Sequence, residues 1–391
     1  MKNVGVICEY NPFHGGHAHL LQCVRDAEAV ICLMSGEFTQ RGEAAILPPT
    51  ARAEMALRAG ADLVLELPFP YCAGSARYFA TAGVDALARL GADTLAFGSE
   101  SADLSALLAA AEKTMEPEFL NKCANGAKNK GDAANYFEAL GADKPLSNDI
   151  LAIEYIRAAQ VLATDLAFHP VLRVGAGYRD TALEGAYPSA TALRQKLTRG
   201  EDITGDLPES VRACWQNAVQ TYGVADTARL GAPLLALLRA IEAKSALTGV
   251  KNADLAIADC GGGLLERLVG AAIVATDYQS LCSEAATKKY TDGRIRRALL
   301  YLLSGVTYED LSAPPAYLQL LGANERGRAF LSATRKTREI PVVTKPADVA
   351  ALGAAAARQR ALSAVAKGLY ALCMLCPVSP SDLSVIPPVM L

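Results

Sequence analysis

The chain has 391 residues, 51% hydrophobic and 20% charged, with a formal net charge of −3, the profile of an ordinary globular protein long enough for two domains. No apolar run approaches the roughly 20 residues of a membrane span, which argues against a helical membrane protein. The opening MKNVGVICEYNPF is interrupted at Glu9 and Pro12 before it reaches signal-peptide length, so a cytoplasmic protein is expected.

Four short β-type runs alternate with amphipathic stretches over the first 100 or so residues. The runs are NVGVIC (Asn3 to Cys8), AVICLM (Ala29 to Met34), DLVLEL (Asp62 to Leu67) and DTLAFG (Asp93 to Gly98). Between them GHAHLLQCVRDA, TARAEMALRAGA and GSARYFATAGVDALARLGA carry apolar residues at helical spacing. Near-continuous apolar strands alternating with such helices predict a doubly wound, mainly parallel α/β sheet covered on both faces. SNDILAIEYIRAAQVL from Ser147 reads as a helix capped by Ser147 or Asn148, and LAFHPVLRVG (Leu166 to Gly175) as one more strand. After SATALRQKLTRG (Ser189 to Gly200) the β-type runs almost stop. A boundary is therefore expected near residue 204, with an α/β domain over 1–204 and a mainly helical domain over 205–391.

The ten cysteines are scattered through apolar segments rather than set in a small disulfide framework, and in a reducing cytosol they read as small core residues. Cys373 and Cys376 form the one close pair, CMLC. Half of a zinc site is its other reading, but no second CxxC or paired histidine accompanies it. Charge is uneven: Ser283 to Lys345 sums to +5 and the remainder to −8. A basic zone on an acidic protein is the footprint of a polyanionic partner, and equally that of a solvated helical face.

Three of the four histidines, His14, His17 and His19, fall in EYNPFHGGHAHL, directly after the first predicted strand. With a helix starting near Gly16, His14 and His17 stand at its N-terminus, where unpaired N–H groups and partial positive charge hold anions, phosphate above all. Glycine lets backbone approach the anion, and two imidazoles can donate hydrogen bonds to phosphoryl oxygens as charge grows at an α-phosphorus. The string thus suits nucleotidyl transfer. A metal site built from the three histidines and Glu9 is a competing reading, but His17 and His19 are two apart and diverge on a helix, and the string is not HExxH. A purely structural role leaves polar rings without a task at the sheet edge where open α/β sheets bind ligands. For His19 alone, the structural role is expected, and no metal is assigned.

His14-Gly15-Gly16-His17 matches the HxGH signature of the nucleotidylyltransferase superfamily. The longer string resembles one branch of it, the bacterial tRNA(Met) cytidine acetate ligase family. MSGEFTQRGEAAI (Met34 to Ile46), FGSE (Phe97 to Glu100), SNDILAIEYIRA (Ser147 to Ala158), LRVGAGY (Leu172 to Tyr178), SATALR (Ser189 to Arg194) and RIRRALLYLL (Arg294 to Leu303) agree with that branch in consistent order.

The resemblance implies a Rossmann-like nucleotidylyltransferase sheet and a two-step reaction. Acetate and ATP would give acetyl-AMP, with magnesium as the ATP counter-ion. The acetyl group would then pass to N4 of the wobble cytidine of elongator tRNA(Met), giving N4-acetylcytidine. Neither a membrane nor DNA is an implied partner. Carried over by position, the ATP site comprises Ile7, Cys8, Glu9, Tyr10, Asn11, Pro12, Phe13, His14, Gly15, Gly16, His17, Ala18, His19 and Leu20, with Gly98, Asn148, Arg173 and Val174. His14 and His17 would be catalytic.

Beside that resemblance, residue chemistry suggests a pyrophosphate clamp of Ser189, Thr191 and Arg194 at a second helix N-terminus. Pro188 precedes it where family members carry an aliphatic residue. In the Thr39 to Glu43 loop, Gln40 and Arg41 read either as facing acetate or cytidine or as ordinary solvated loop residues. Lys288, Lys289, Arg294, Arg296 and Arg297 are the expected tRNA phosphate contacts. An adenylyltransferase acting on a small metabolite, and a non-catalytic RNA-binding protein on the same scaffold, are the alternatives.

Overall fold

The structure, a computed structural model, describes residues 1–124, 132–141, 147–173, 187–248, 256–385 and 387–391. In its first half, β1 (Asn3–Cys8), α1 (Gly15–Cys23), β2 (Ala29–Ser35), α2 (Pro49–Arg58), β3 (Leu63–Leu67), α3 (Ala76–Leu90) and β4 (Thr94–Ser99) alternate as the sequence predicts. Helices α4 (Leu104–Lys113), α5 (Pro117–Ala124), α6 (Asp132–Leu140) and α7 (Ser147–Val161) then lead to β5 (Ala167–Leu172) and α8 (Ala190–Thr198).

The strands lie in the order β5-β4-β1-β2-β3, all parallel. Every residue of β2 is buried, as a strand covered on both faces requires. Alternation sorts the side chains between two cores: Val30, Cys32 and Met34 pack with α1, α2 and the helix α9 (Glu209–Tyr222), whereas Ile31 and Leu33 pack with α3 and α7. Chain direction along the sheet reverses between β1 and β4. That reversal opens a crevice beyond their carboxyl ends, where ligands bind in open α/β sheets.

The second half is mainly helical, through α10 (Gly231–Thr248), α11 (Leu264–Val274), α12 (Tyr278–Ala285), α13 (Asp292–Ser304) and α14 (Tyr308–Ser312), but it also supplies three strands. β6 (Leu318–Ala323) pairs antiparallel with β3, and β7 (Val342–Val343) and β8 (Val389–Met390) pair with β6. The expected boundary near 204 therefore does not separate sheet from helices. LQLLGA is a short apolar run whose period distinguishes neither a strand nor a buried helix turn, and tertiary pairing at the β3 edge decides it. Helix α15 (Glu325–Ala333) packs so closely on this junction that a Cβ at Gly327 would sit 2.1 Å from the Asp62 carbonyl oxygen. Helices α16 (Ala354–Cys373) and α17 (Pro380–Val385) complete the fold. Among the described residues no helix is long and apolar enough to cross a membrane.

Six of the ten cysteines are buried, Cys373 among them, while its neighbour Cys376 is exposed; all are unpaired thiols.

One buried cation fixes the ends of the central strands. Arg52 of α2 is 1% exposed and donates from Nη1 to the Glu9 carbonyl at 2.6 Å, from Nε to the Leu47 carbonyl at 2.9 Å, and from Nη2 to the Gly36 carbonyl. Glu9 follows β1 and Gly36 follows β2, so one planar fork joins both strand ends to the segment before α2. Lysine lacks that fork and would leave carbonyls unpaired. Arg52→Lys is expected to lower unfolding free energy by about 3 kcal/mol, read as a fall in the urea midpoint with unchanged slope. An unchanged midpoint would show that the three bonds contribute nothing net.

Candidate active site

His14 is the N-cap of α1, with φ −146° and ψ 175°. Its Nδ1 accepts from Gly16 N at 3.0 Å, and the Nδ1 of His17 accepts from His14 N at 3.2 Å. The two histidines of HxGH thus form a reciprocal capping box, filling the role that Ser and Glu fill elsewhere. Since each Nδ1 accepts a backbone N–H, each neutral ring carries its proton on Nε2, which is the donor left for a ligand. The rings stack at 3.7 Å, and Tyr10 and Phe13 pack on His17 at 4.9 and 5.6 Å.

Electrostatics hold both rings neutral. Burial, reinforced by the Arg173 and Arg194 cations, lowers the His14 pKa to about 4. Burial, then His14 and Arg173, pushes His17 well below its ordinary value. The arrangement favours an anion: binding one between the rings and the α1 N-terminus offsets the cost of either ring gaining a proton.

The crevice at the β1–β4 reversal holds a cavity of about 300 Å³. Of the sequence-predicted ATP residues, Ile7, Cys8, Glu9, Tyr10, His14, Gly16, His17, His19, Leu20, Gly98, Asn148 and Arg173 line it, and so does Ser189. Asn11, Pro12, Phe13, Gly15 and Ala18 do not line it. Asn11 accepts from Ile46 N through Oδ1 at 2.7 Å, and Phe13 is fully buried. Gly15 has a different task, since a Cβ there would lie 2.0 Å from the Tyr187 ring. Val174 lies outside the described residues.

FGSE and SND interlock at the other wall. Glu100 accepts from Asn148 Nδ2 at 2.6 Å and from Asp149 N at 2.9 Å, while Asp149 Oδ1 accepts from Glu100 N at 3.0 Å and from the Ser99 hydroxyl. These bonds orient the Asn148 amide so that its Oδ1 accepts from Arg173 Nη1 at 3.0 Å. The Arg173 side chain in turn passes Gly98, whose missing Cβ would meet Arg173 Cγ at 3.4 Å.

The clamp residues divide. Ser189 caps α8, accepting from Ala192 N at 3.2 Å. Arg194 donates to the Asn11 carbonyl at 2.9 Å and to Thr191 Oγ1 at 3.2 Å, so this pair supports the loop ahead of His14. Gln40 and Arg41 line the cavity, and Gln40 N donates to Glu9 Oε1 at 2.8 Å. Burial pushes the Glu9 carboxyl up, and Arg194, Arg41 and Arg52 act against that.

Sequence reading did not single out Phe79, Tyr155 or Tyr187, whose rings line the cavity; helical spacing makes the first two look like ordinary core residues.

The basic zone is largely committed to internal contacts. Arg297 pairs with Asp259 at 2.7 Å and Arg296 with Glu43. Arg294 donates to the Gly261 carbonyl at 3.0 Å and Lys289 to that of Gly262 at 2.8 Å. Lys288 is exposed. Gly42, at φ +72°, allows the Thr39–Glu43 loop to rest on α13, where a Cβ would come within 2.7 Å of Arg297 N.

Residues 1–381 match the family described as HIGH nucleotidyl transferase. The chain is similar to the tRNA(Met) cytidine acetate ligase of Syntrophotalea carbinolica, 38% identical over 365 residues that cover 88% of this chain and 85% of that protein. It is 31% identical to the tRNA(Met) cytidine acetate ligase of Acetivibrio thermocellus, with 95% of each chain covered. It superposes on the crystal structure of apo Thermotoga maritima TmcAL with a TM-score of 0.87 at 29% identity, covering 100% of both chains. With the crystal structure of the same protein bound with alpha-thio ATP, the TM-score is 0.86 at 28% identity, again over 100% of both chains. The chain belongs to the HIGH nucleotidyl transferase family, in its tRNA(Met) cytidine acetate ligase branch.

Proposed function

We propose that this protein is an ATP-dependent acetate ligase that acetylates N4 of the wobble cytidine of elongator tRNA(Met), in the cytoplasm. The observation that carries the reading is the reciprocal cap of His14 and His17, which leaves two Nε2–H donors and the α1 N-terminus at the β1–β4 crevice. ATP occupies the cavity with its α-phosphate against those donors. An acetate oxygen attacks the α-phosphorus, the bond to pyrophosphate breaks, and the two imidazoles stabilise the charge spread over the equatorial oxygens. Gln40 and Arg41 supply donors for the acetate carboxylate. In the second step the cytidine amine attacks the acetyl carbonyl, AMP leaves with the anhydride oxygen, and the amine loses a proton.

Magnesium enters as the counter-ion of the ATP phosphates, whose oxygens suit it. No group of three His, Cys, Asp or Glu side chains among the described residues is arranged to hold a metal ion. Residues 1–204 supply the nucleotide site in this reading, and 205–391 the tRNA-facing helices.

ATP–pyrophosphate exchange with and without acetate, followed by nucleoside analysis of treated tRNA(Met), tests the reading. Exchange that requires acetate, with N4-acetylcytidine as product, is expected. Exchange driven instead by a small metabolite would replace this reading with that of a metabolite adenylyltransferase.

His14→Ala and His17→Ala should each lower kcat of acetate-dependent exchange on the order of a hundredfold while ATP affinity falls less, because the donors act on charge that develops in the transition state. Normal turnover in either variant removes that histidine from the chemistry.

The same burial gives a pH signature. The His14 pKa is about 4 in the folded protein and about 6.5 in the unfolded chain. Between those values the unfolded chain binds more protons, so stability is full above about pH 6.5 and is lost as pH falls toward 4, by up to about 3 kcal/mol. Urea melts across that window should show the loss, and His14→Gln should make the profile shallower, leaving the share that buried His17 contributes. An equally steep profile in the variant refutes the buried neutral assignment.

Of the basic residues, Lys288 and Lys289 are the ones whose replacement spares the active-site loop. The Lys288→Ala/Lys289→Ala variant should weaken tRNA binding and reduce its salt slope by about two while exchange persists. Arg296→Ala should instead reduce exchange, since Arg296 holds Glu43 of the loop. Filter binding against salt, run beside the exchange assay, reads both; unaltered tRNA binding by the lysine variant excludes that patch.

A further inference from the structure

A second cavity, of about 380 Å³, lies at the carboxyl ends of β2 and β3, beside the pairing of β3 with β6, and it shares no lining residue with the ATP cavity. Its wall includes Glu37, which follows β2, and Glu66 of β3; they are 2% and 4% exposed. Glu37 Oε2 is buried without a hydrogen-bond partner. The Glu66 carboxyl lies against the backbone of Gly36, where an added Cβ would come within 2.8 Å of Oε1. A buried carboxylate left without donors is costly, and two side by side are worse.

The surrounding cations do not satisfy the pair. Arg52 stands between the two cavities with its fork committed to the carbonyls of Glu9, Gly36 and Leu47. Lys367 of α16 also lines the cavity, yet no ion pair within 4 Å joins it to either carboxyl among the described residues. An anion would meet two acids, and a metal ion would lack a third acidic, His or Cys ligand among the described residues.

We propose that this cavity is a second ligand site, which takes the primary ammonium group of a small organic amine between the carboxyls of Glu37 and Glu66. Three N–H donors match the unpartnered Glu37 Oε2 and the Glu66 carboxyl oxygens, and the positive charge offsets the negative charge that Glu66 acquires on ionising. The volume suits a compact molecule, and Lys345 and Lys367 on the same wall leave room for an anionic tail, as in an amino acid.

Binding is coupled to a proton. Burial and the neighbouring Glu37 push the Glu66 pKa up to about 8, against the opposing pull of Lys367 and Arg52. Cys72 and Tyr317, which also face Glu66, have thiol and phenol pKa values raised by burial and add no charge at neutral pH. An arriving ammonium ionises Glu66 and releases that proton, so affinity rises with pH by as much as about tenfold per unit below pH 8.

Titration calorimetry of the whole protein with n-butylammonium chloride and with γ-aminobutyrate tests the site. Binding of either probe at millimolar concentration, tighter at about pH 8 than at about pH 6.5 and with proton release, is expected. γ-Aminobutyrate binding the tighter identifies an amino acid as the occupant, and n-butylammonium a plain amine. Glu37→Gln/Glu66→Gln should weaken binding by roughly ten- to a hundredfold. The pH series needs no variant and stands even if that double replacement fails to fold. Absence of binding by both probes, or equal binding by a folded double variant, overturns the proposal.

Discussion

A guanidinium removed from water must find acceptors, and the acceptors Arg52 finds are the carbonyl groups where β1 and β2 stop. Neither side of that arrangement is stable alone. The carbonyls would be orphaned at strand ends that have left the ladder, and the cation would be stranded in a core with Tyr370 and Glu37 as its neighbours. Together they set where the two loops at the sheet's carboxyl edge begin. Those loops then tie to each other, Ile46 N to Asn11 Oδ1 at 2.7 Å and Gln40 N to Glu9 Oε1 at 2.8 Å. The Tyr370 hydroxyl adds a bond to the Ala45 carbonyl at 2.8 Å from the far half of the chain. HxGH, at the start of α1, therefore hangs from a rigid frame although a loop leads into it.

The histidines illustrate how structural and chemical roles coincide in the same atoms. Capping requires Nδ1 as an acceptor, acceptance fixes the proton on Nε2, and burial keeps the ring from acquiring a second proton. A Ser or Glu cap would satisfy the α1 N-terminus equally well and leave no directed donor for a phosphoryl oxygen. Arg173 and Arg194 press in the same direction, so the charge facing an incoming nucleotide comes from guanidinium groups and the helix end rather than from imidazolium.

What the sequence disclosed follows from the range of the interactions involved. β1 to β4 and the intervening helices were legible because burial on both faces writes a continuous apolar run, and the place of HxGH at a helix N-terminus was legible from the strand before it and the glycines within it, whereas the reciprocal cap of its two rings was not. Arg52 was not, since ARAEMALR reads as an ordinary amphipathic stretch and nothing local shows that its first arginine points inward. Glu100 as the group orienting Asn148 was likewise hidden by a separation of 48 positions along the chain. β6 is a strand only because β3 presents an open edge, which is a property of the sheet and not of LQLLGA.

The charge count misled for a related reason. A +5 segment predicts a free basic face only if its acids lie elsewhere on the surface, and here Asp259 and Glu43 come to it from outside the counted segment. At Arg296 and Arg297 the result is a mechanical link. Glu43 pairs with Arg296, Ala44 N donates to Thr227 Oγ1 at 2.9 Å, and Gly42 lies on the α13 backbone, so the loop carrying Gln40 and Arg41 is held by helices from the second half. The loop cannot shift toward or away from the nucleotide cavity without disturbing α13. Any macromolecule bound along those helices would thereby reach the cavity through one ion pair, one hydrogen bond and backbone packing, over the length of one five-residue loop.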